Sequence, residues 1–238
     1  LPAVARFLSL GSMIVGVIAC YICYLRAFGS QNSSYRILSL AFAVFILAGP
    51  LVGYWNITAR PDLWARTFEI IGITLFVLNY PKNHWRAIIW MCICGYIAWA
   101  FKQGSVFAVG GVGLFLLARL DWKRLLVLST VLPVAWGLTI YFGDPQYVYN
   151  FLLKDFPIIF SFDRMVRNLV NFGVKSGPIL FILSALVFAV FGARDQIRQF
   201  WKSDIFVLGC GGVICASVIS IPGSSQLGGA ENYFFTLL

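Results

Sequence analysis

The sequence predicts an all-α, polytopic transmembrane helical bundle of about eight spans, and three observations predict it. Apolar runs of about 17 to 25 residues alternate with short polar breaks along the chain, a length that matches a hydrocarbon core of about 30 Å when wound as helix. Almost every charge falls in the breaks. Hydrophobic residues make up 60% of the 238 positions and charged residues 11%, with mean hydropathy +0.85, outside the balance of a soluble domain. Lipid satisfies no backbone N–H or C=O, so each run must pair its own groups, and helix is the conformation that does so. The implied organisation is one membrane domain over 1–238. The net charge of +9 does not point to nucleic acid, because the Lys and Arg residues lie between apolar runs, where orientation in the membrane accounts for them.

The spans are expected near 6–27, 36–55, 63–80, 86–102, 104–120, 124–142, 178–193 and 205–222. The first carries Cys20-x-x-Cys23. Like Cys92, Cys94, Cys210 and Cys215, these two lie inside an apolar run and read as small packing side chains instead of a redox pair. Pro50 in the second span and Pro133 in the sixth are expected to kink their helices. The third opens on Arg60-Pro61-Asp62, with Pro in a first turn and Asp near the positive helix end. Arg66 and Glu69 follow on one face three residues apart, a spacing at which they neutralise each other. The fourth closes on Lys102, which has no acidic neighbour along the sequence. Gly110, Gly111 and Gly113 in the fifth span, and Gly209, Gly211 and Gly212 in the eighth, permit close helix approach.

The 143–177 segment differs from the rest. It mixes aromatics and charges at helical spacing, with Pro157 dividing it, and is expected to lie in the outer interface as an external amphipathic segment. It serves either as a connector or as a surface for lipid head groups or a substrate. His84 is the single histidine, so a His-rich metal site is excluded within this chain. Asn32-Ser33-Ser34 and Asn56-Ile57-Thr58 match the glycosylation sequon, a pattern frequent by chance.

Charge sets the orientation. If the first span runs outside to inside, Arg26, Arg36, Lys82, Arg86, Arg119, Lys123, Arg124, Arg194, Arg198 and Lys202 fall on the cytosolic side. Arg6, Arg60, Arg66 and Lys102 fall outside, with Lys154, Arg164, Arg167 and Lys175 in the long external segment. The short breaks are therefore biased as the positive-inside rule requires. The chain opens at Leu1-Pro2 without Met and ends at Leu238 as a new apolar run begins, which reads as a fragment incomplete at both ends.

That orientation gathers Tyr54, Trp55, Asn56, Arg60, Asp62, Arg66 and Glu69 at one outer turn, Lys102 and Gln103 at another, and Gln226, Glu231, Asn232 and Tyr233 after the last span. Charges at membrane depth are costly and concentrate at interfaces or in functional cavities, so an outer-face polar site is expected. A phosphate would supply the negative charge that Lys102 lacks along the sequence.

Three stretches, in order and spacing, carry a resemblance: Tyr54-Trp-Asn-Ile-Thr-Ala-Arg-Pro-Asp-Leu63, Phe101-Lys-Gln-Gly-Ser105 and Leu227-Gly-Gly-Ala-Glu-Asn-Tyr-Phe234. The chain resembles polytopic glycosyltransferases of the GT-C fold, which include protein O-mannosyltransferases and the lipid A aminoarabinose transferase. The resemblance implies transfer of a sugar from a polyprenyl-phosphate carrier to an acceptor at the outer face of a membrane, here the bacterial inner (cytoplasmic) membrane. It implies a catalytic role for Asp62, at the position of the acid that follows the third span in that family. It also implies carrier or substrate contacts for Arg60, Lys102, Gln103, Glu231, Asn232 and Tyr233. The family's first span and its catalytic loop would lie before Leu1. A divalent metal ion held by Asp62 and that loop's acid is the cofactor the resemblance allows.

The reaction so implied is displacement at an anomeric carbon, with a base activating the acceptor and cations stabilising the departing phosphate. Arg suits a phosphate through its planar fork and Lys as a point charge. Two other readings stand beside it: a non-catalytic helical subunit of a larger membrane complex, and a transporter whose Gly-interrupted spans line a substrate path. The expected partners are the carrier and membrane lipids, with other subunits on the second reading, and no nucleic acid.

Overall fold

The computed structural model describes residues 2–28, 33–49, 61–102, 104–146, 161–191 and 203–223. All regular structure among them is helical: α1 (Pro2–Phe28), α2 (Ser33–Ala48), α3 (Pro61–Asn79), α4 (His84–Phe101), α5 (Phe107–Ala118), α6 (Trp122–Phe142), α7 (Phe162–Phe191) and α8 (Asp204–Gly223). Three are long and apolar enough to cross a membrane, over Val4–Ala27, Trp122–Phe142 and Asp204–Ile221. The others have unequal reach. With a rise of about 1.5 Å per residue, the 12 residues of α5 extend roughly 18 Å, short of a hydrocarbon core, and α3 spends three of its 19 positions on Asp62, Arg66 and Glu69.

Several boundaries shift by a few residues, and two of the differences from expectation have a local cause or consequence. The fifth apolar run narrows from 104–120 to Phe107–Ala118, because Lys102, Gly104 and Ser105 form a hydrogen-bonded turn before it, with Ser105 N–H donating to Lys102 O at 2.9 Å. At its other end, Leu120 adopts φ 54° while its N–H donates to Leu117 O at 3.0 Å and that of Asp121 to Leu116 O at 2.9 Å. This is a Schellman ending built on leucine where glycine is usual. The second difference is α7, one helix of 30 residues that passes through Gly177-Pro178 without a break. The expected division there, between interfacial segment and span, is not a break in the helix.

α3 is the central element. It packs along α4 and α1 and also touches α5. On one side Ile70 joins Cys20, Ala43, Phe45, Ile46 and Leu47 of α1 and α2. On the other, Phe76 and Val77 join Met91, Val112, Phe115, Leu128, Leu132 and Leu208 of α4, α5, α6 and α8. Hydroxyls pin α1 to α3: Thr67 Oγ1 donates to Ser12 O at 3.0 Å, and Thr74 Oγ1 to Ala19 O at 3.0 Å. In lipid, where apolar surface gives helices no reason to associate, such bonds and close packing hold a bundle together. Close packing is extreme between α5 and α8. A Cβ on Gly111 would lie 2.9 Å from Gly212 Cα, and one on Gly211 would lie 2.8 Å from Gly111 O. Gly111, Gly211 and Gly212 thus make a close helix contact, as expected, while a Cβ on Gly113 or Gly209 of the same two clusters would meet nothing closer than 3.9 Å. Large apolar side chains such as Phe7, Ile18, Ile37, Leu126 and Val218 point outward, as in a bundle dissolved in lipid.

The ends of the helices group as the charge pattern requires. Arg119 pairs with Asp204, and Arg124 Nη1 donates to Asp121 Oδ2 at 2.8 Å. Arg26, Tyr80, Pro81, Ser203 and Asp204 border one small cavity of about 210 Å³. The breaks assigned to the cytosol that the structure describes therefore meet at one end of the bundle. Asp62 and Lys102 meet at the other.

Candidate functional site

Asp62 lies in the first turn of α3, where the free N–H groups favour a carboxylate. Lys102 is the residue that ends α4. Its backbone is extended (φ −155°, ψ 118°) and its N–H closes the helix on Ala98 O at 3.0 Å. The α3–α4 hairpin brings these two ends together, and Lys102 Nζ donates to Asp62 Oδ1. Both side chains remain partly open, at 29% for Lys102 and 15% for Asp62. The expectation that Lys102 lacks an acidic partner is therefore corrected: its partner lies 40 residues away in sequence and across one hairpin in space.

Glu69, two turns below Asp62 on α3, is 2% exposed. Its Oε1 accepts from Phe107 N–H at 3.0 Å and from Ala108 N–H at 3.3 Å. Those are the first two residues of α5, whose own N-cap position, Val106, offers no side-chain acceptor. Glu69 thus caps α5 from another helix, satisfying N–H groups that a helix start leaves unpaired. The expected Arg66–Glu69 ion pair does not form as a direct contact among the described residues. Arg66 and Glu69 instead both line a cavity of about 270 Å³ between α1, α3, α5 and α8. Sequence reasoning set both aside as a self-neutralising pair. The signal it passed over was register: Asp62, Arg66 and Glu69 recur every three to four residues and so share one helix face.

Next to Asp62 on α3, but turned to α4, Trp64 and Phe68 stack on Phe101 with ring centroids 6.0 and 5.9 Å apart. They make an aromatic patch at the same end of the bundle, as expected of a helix end at a membrane interface.

Of the expected site residues, the structure brings Asp62 and Lys102 together. Arg60, Gln103, Glu231, Asn232 and Tyr233 lie outside the described residues, as do Pro50, both sequon asparagines and positions 147–160 of the external segment. Among the described residues no group of three or more His, Cys, Asp or Glu side chains gathers. A single carboxylate already engaged by an ammonium does not by itself fit a divalent ion, since the lysine charge would stand in the coordination sphere. No family model, no curated protein and no solved structure matches the chain.

Proposed function

We propose that this chain is the membrane bundle of a GT-C-type glycosyltransferase. Its eight described helices would cross or line the bilayer, and it would move a sugar from a polyprenyl-phosphate carrier to an acceptor at the outer face of a bacterial inner membrane. The observation that carries this reading is the Asp62–Lys102 pair at one end of the bundle. Carrier phosphate competes with Asp62 for the Lys102 ammonium. As it takes the lysine, it releases a carboxylate beside the reacting carbon.

The acceptor oxygen then bonds to the anomeric carbon as the bond from that carbon to the carrier phosphate breaks. The electron pair leaves on the phosphate, stabilised by Lys102, and the acceptor proton passes to Asp62. Arg60 and Gln103, adjacent in sequence to this pair, and Glu231, Asn232 and Tyr233 would complete the contacts to carrier and sugar.

One feature favours a second reading, that of a non-catalytic subunit: a lysine and an aspartate that neutralise each other can also be a pin between α3 and α4. A charge exchange tests whether the pair acts in transfer or only as a pin, and the full-length protein's own transfer tests the subunit reading. Transfer from a polyprenyl-phosphate sugar is measured with the full-length protein in liposomes. Asp62→Asn and Lys102→Met should each lower turnover by about 100-fold or more, the scale of a lost general base or a lost charge contact. The double variant Asp62→Lys with Lys102→Asp should keep the pair and the fold and remain inactive. Recovery of transfer in the exchanged pair, or full activity in both single variants, would make the pair only a pin; no transfer by the full-length protein with any carrier would leave the non-catalytic subunit.

A further inference from the structure

The face of α3 that carries Asp62 continues through Arg66 and Glu69 into the cavity of about 270 Å³, which neither Asp62 nor Lys102 lines. Its walls are apolar or small, among them Cys20 of α1, Ile46 of α2, Ile70 of α3, Gly111 of α5, and Leu208 and Gly209 of α8. Polar groups interrupt them: the hydroxyls of Tyr24 and Thr74, the latter engaged with Ala19 O and Ile70 O, and the two charged side chains Glu69 and Arg66. Glu69 is held by its Oε1 on α5, which leaves Oε2 buried with no hydrogen-bond partner among the described residues. One turn away on α3 is Arg66, with its five N–H donors and no direct bond to Glu69.

These features restrict what the cavity can take. Arg66 and Glu69 together carry no net charge, so an anion drawn to one is repelled by the other, and the reverse holds for a cation. A zwitterion would surrender its hydration to apolar walls, at a cost that rises with each charge. A hydroxyl meets both groups without a charge, its O–H donating to Glu69 Oε2 and its lone pairs accepting from Arg66. The volume also sets a size. A cavity of about 150 Å³ takes benzene, so this one takes on the order of ten non-hydrogen atoms. We propose that the cavity binds the hydroxyl end of an uncharged amphiphile, a medium- or long-chain alcohol, with Glu69 and Arg66 as the recognising groups. The site is separate from the Asp62–Lys102 end and stands whether or not the chain transfers sugar.

Photolabelling tests it on the full-length protein in phosphatidylcholine liposomes. The probes are a diazirine-bearing decanol and its methyl ether, which has the same chain and no donor. The alcohol should label the cavity faces of α1, α3 and α8 about tenfold more than the ether, as one hydrogen bond to a charged acceptor allows, and 1-decanol should compete. Gly209 lines the cavity and a Cβ there meets nothing within 4 Å, so Gly209→Leu extends a side chain from open space into the cavity. It should cut labelling by about tenfold at an unchanged or raised unfolding temperature. Glu69→Gln keeps an acceptor for α5 while replacing the free oxygen by a donor, and should abolish the preference for alcohol over ether. Equal labelling by alcohol and ether would overturn the proposal. So would labelling confined to lipid-facing positions such as Ile14 and Val218, or labelling indifferent to both variants, since each describes membrane partition or a water-filled cavity.

Discussion

Glu69 holds two helices in register with one oxygen. Because Oε1 accepts the N–H groups of both Phe107 and Ala108, the start of α5 depends on a side chain from α3. Glu69→Ala leaves those two donors without a partner inside the bundle and should destabilise the protein by about 2–6 kcal/mol, at about 1–3 kcal/mol for each buried unsatisfied group. Glu69→Gln retains an acceptor for both amides while losing the charge, at a cost of about 1 kcal/mol at the helix N-terminus, with the Arg66 charge left uncompensated in the shared cavity. Hydrogen exchange at the two amides reads the difference directly: fast in the alanine variant, nearly native in the glutamine variant. Equal exchange in both would show that charge, not capping, is what Glu69 supplies. None of this was legible from the sequence, because the i,i+3 spacing of Arg66 and Glu69 supplied a local partner that satisfied the pattern and hid the distant one. The Asp62–Lys102 pair was within reach. Half of their separation of 40 residues falls on Lys82, in the turn of the hairpin, so two antiparallel helices must place them side by side.

Glycine decides the contact between α5 and α8. At Gly111 a Cβ would meet Gly212 Cα at 2.9 Å and Gly212 N at 3.0 Å, and backbone on a facing helix has no rotamer into which to retreat. Gly111→Val should therefore force the helices apart and cost about 1–3 kcal/mol or more, read as a lower unfolding midpoint in detergent micelles. Two residues on, Gly113 meets only Leu125 Cδ1 at 3.9 Å, an ordinary contact. Gly113→Ala should be neutral or gain about 0.4–1 kcal/mol from the stiffer unfolded chain. If both variants lowered the midpoint alike, the contact would not be what the glycines are for. At this scale the sequence was most readable, since apolar runs between polar breaks become helices whatever they pack against. It was least readable where length mattered. The turn that trims α5 to 12 residues depends on backbone bonds among Lys102, Gly104 and Ser105, and hydropathy does not record them.

The whole molecule has two chemically different ends. One gathers the Arg119–Asp204 and Asp121–Arg124 pairs with Arg26 nearby, and the other gathers Asp62 and Lys102. This two-ended grouping was legible because charge patterning acts on connecting segments regardless of how the helices pack. Which end faces the cytosol rests on the excess of Lys and Arg in the short breaks and is open to a direct test. Lys123 and Asp144 are both exposed and lie at opposite ends of α6, so each replaced by cysteine in a cysteine-free background reports one side. A membrane-impermeant thiol reagent added to intact cells should label Asp144→Cys and spare Lys123→Cys until the membrane is opened. The reverse pattern would turn the Asp62–Lys102 end toward the cytosol. It would then separate that pair from a carrier-linked sugar at the outer face, and the glycosyltransferase reading would lose its substrate together with its orientation.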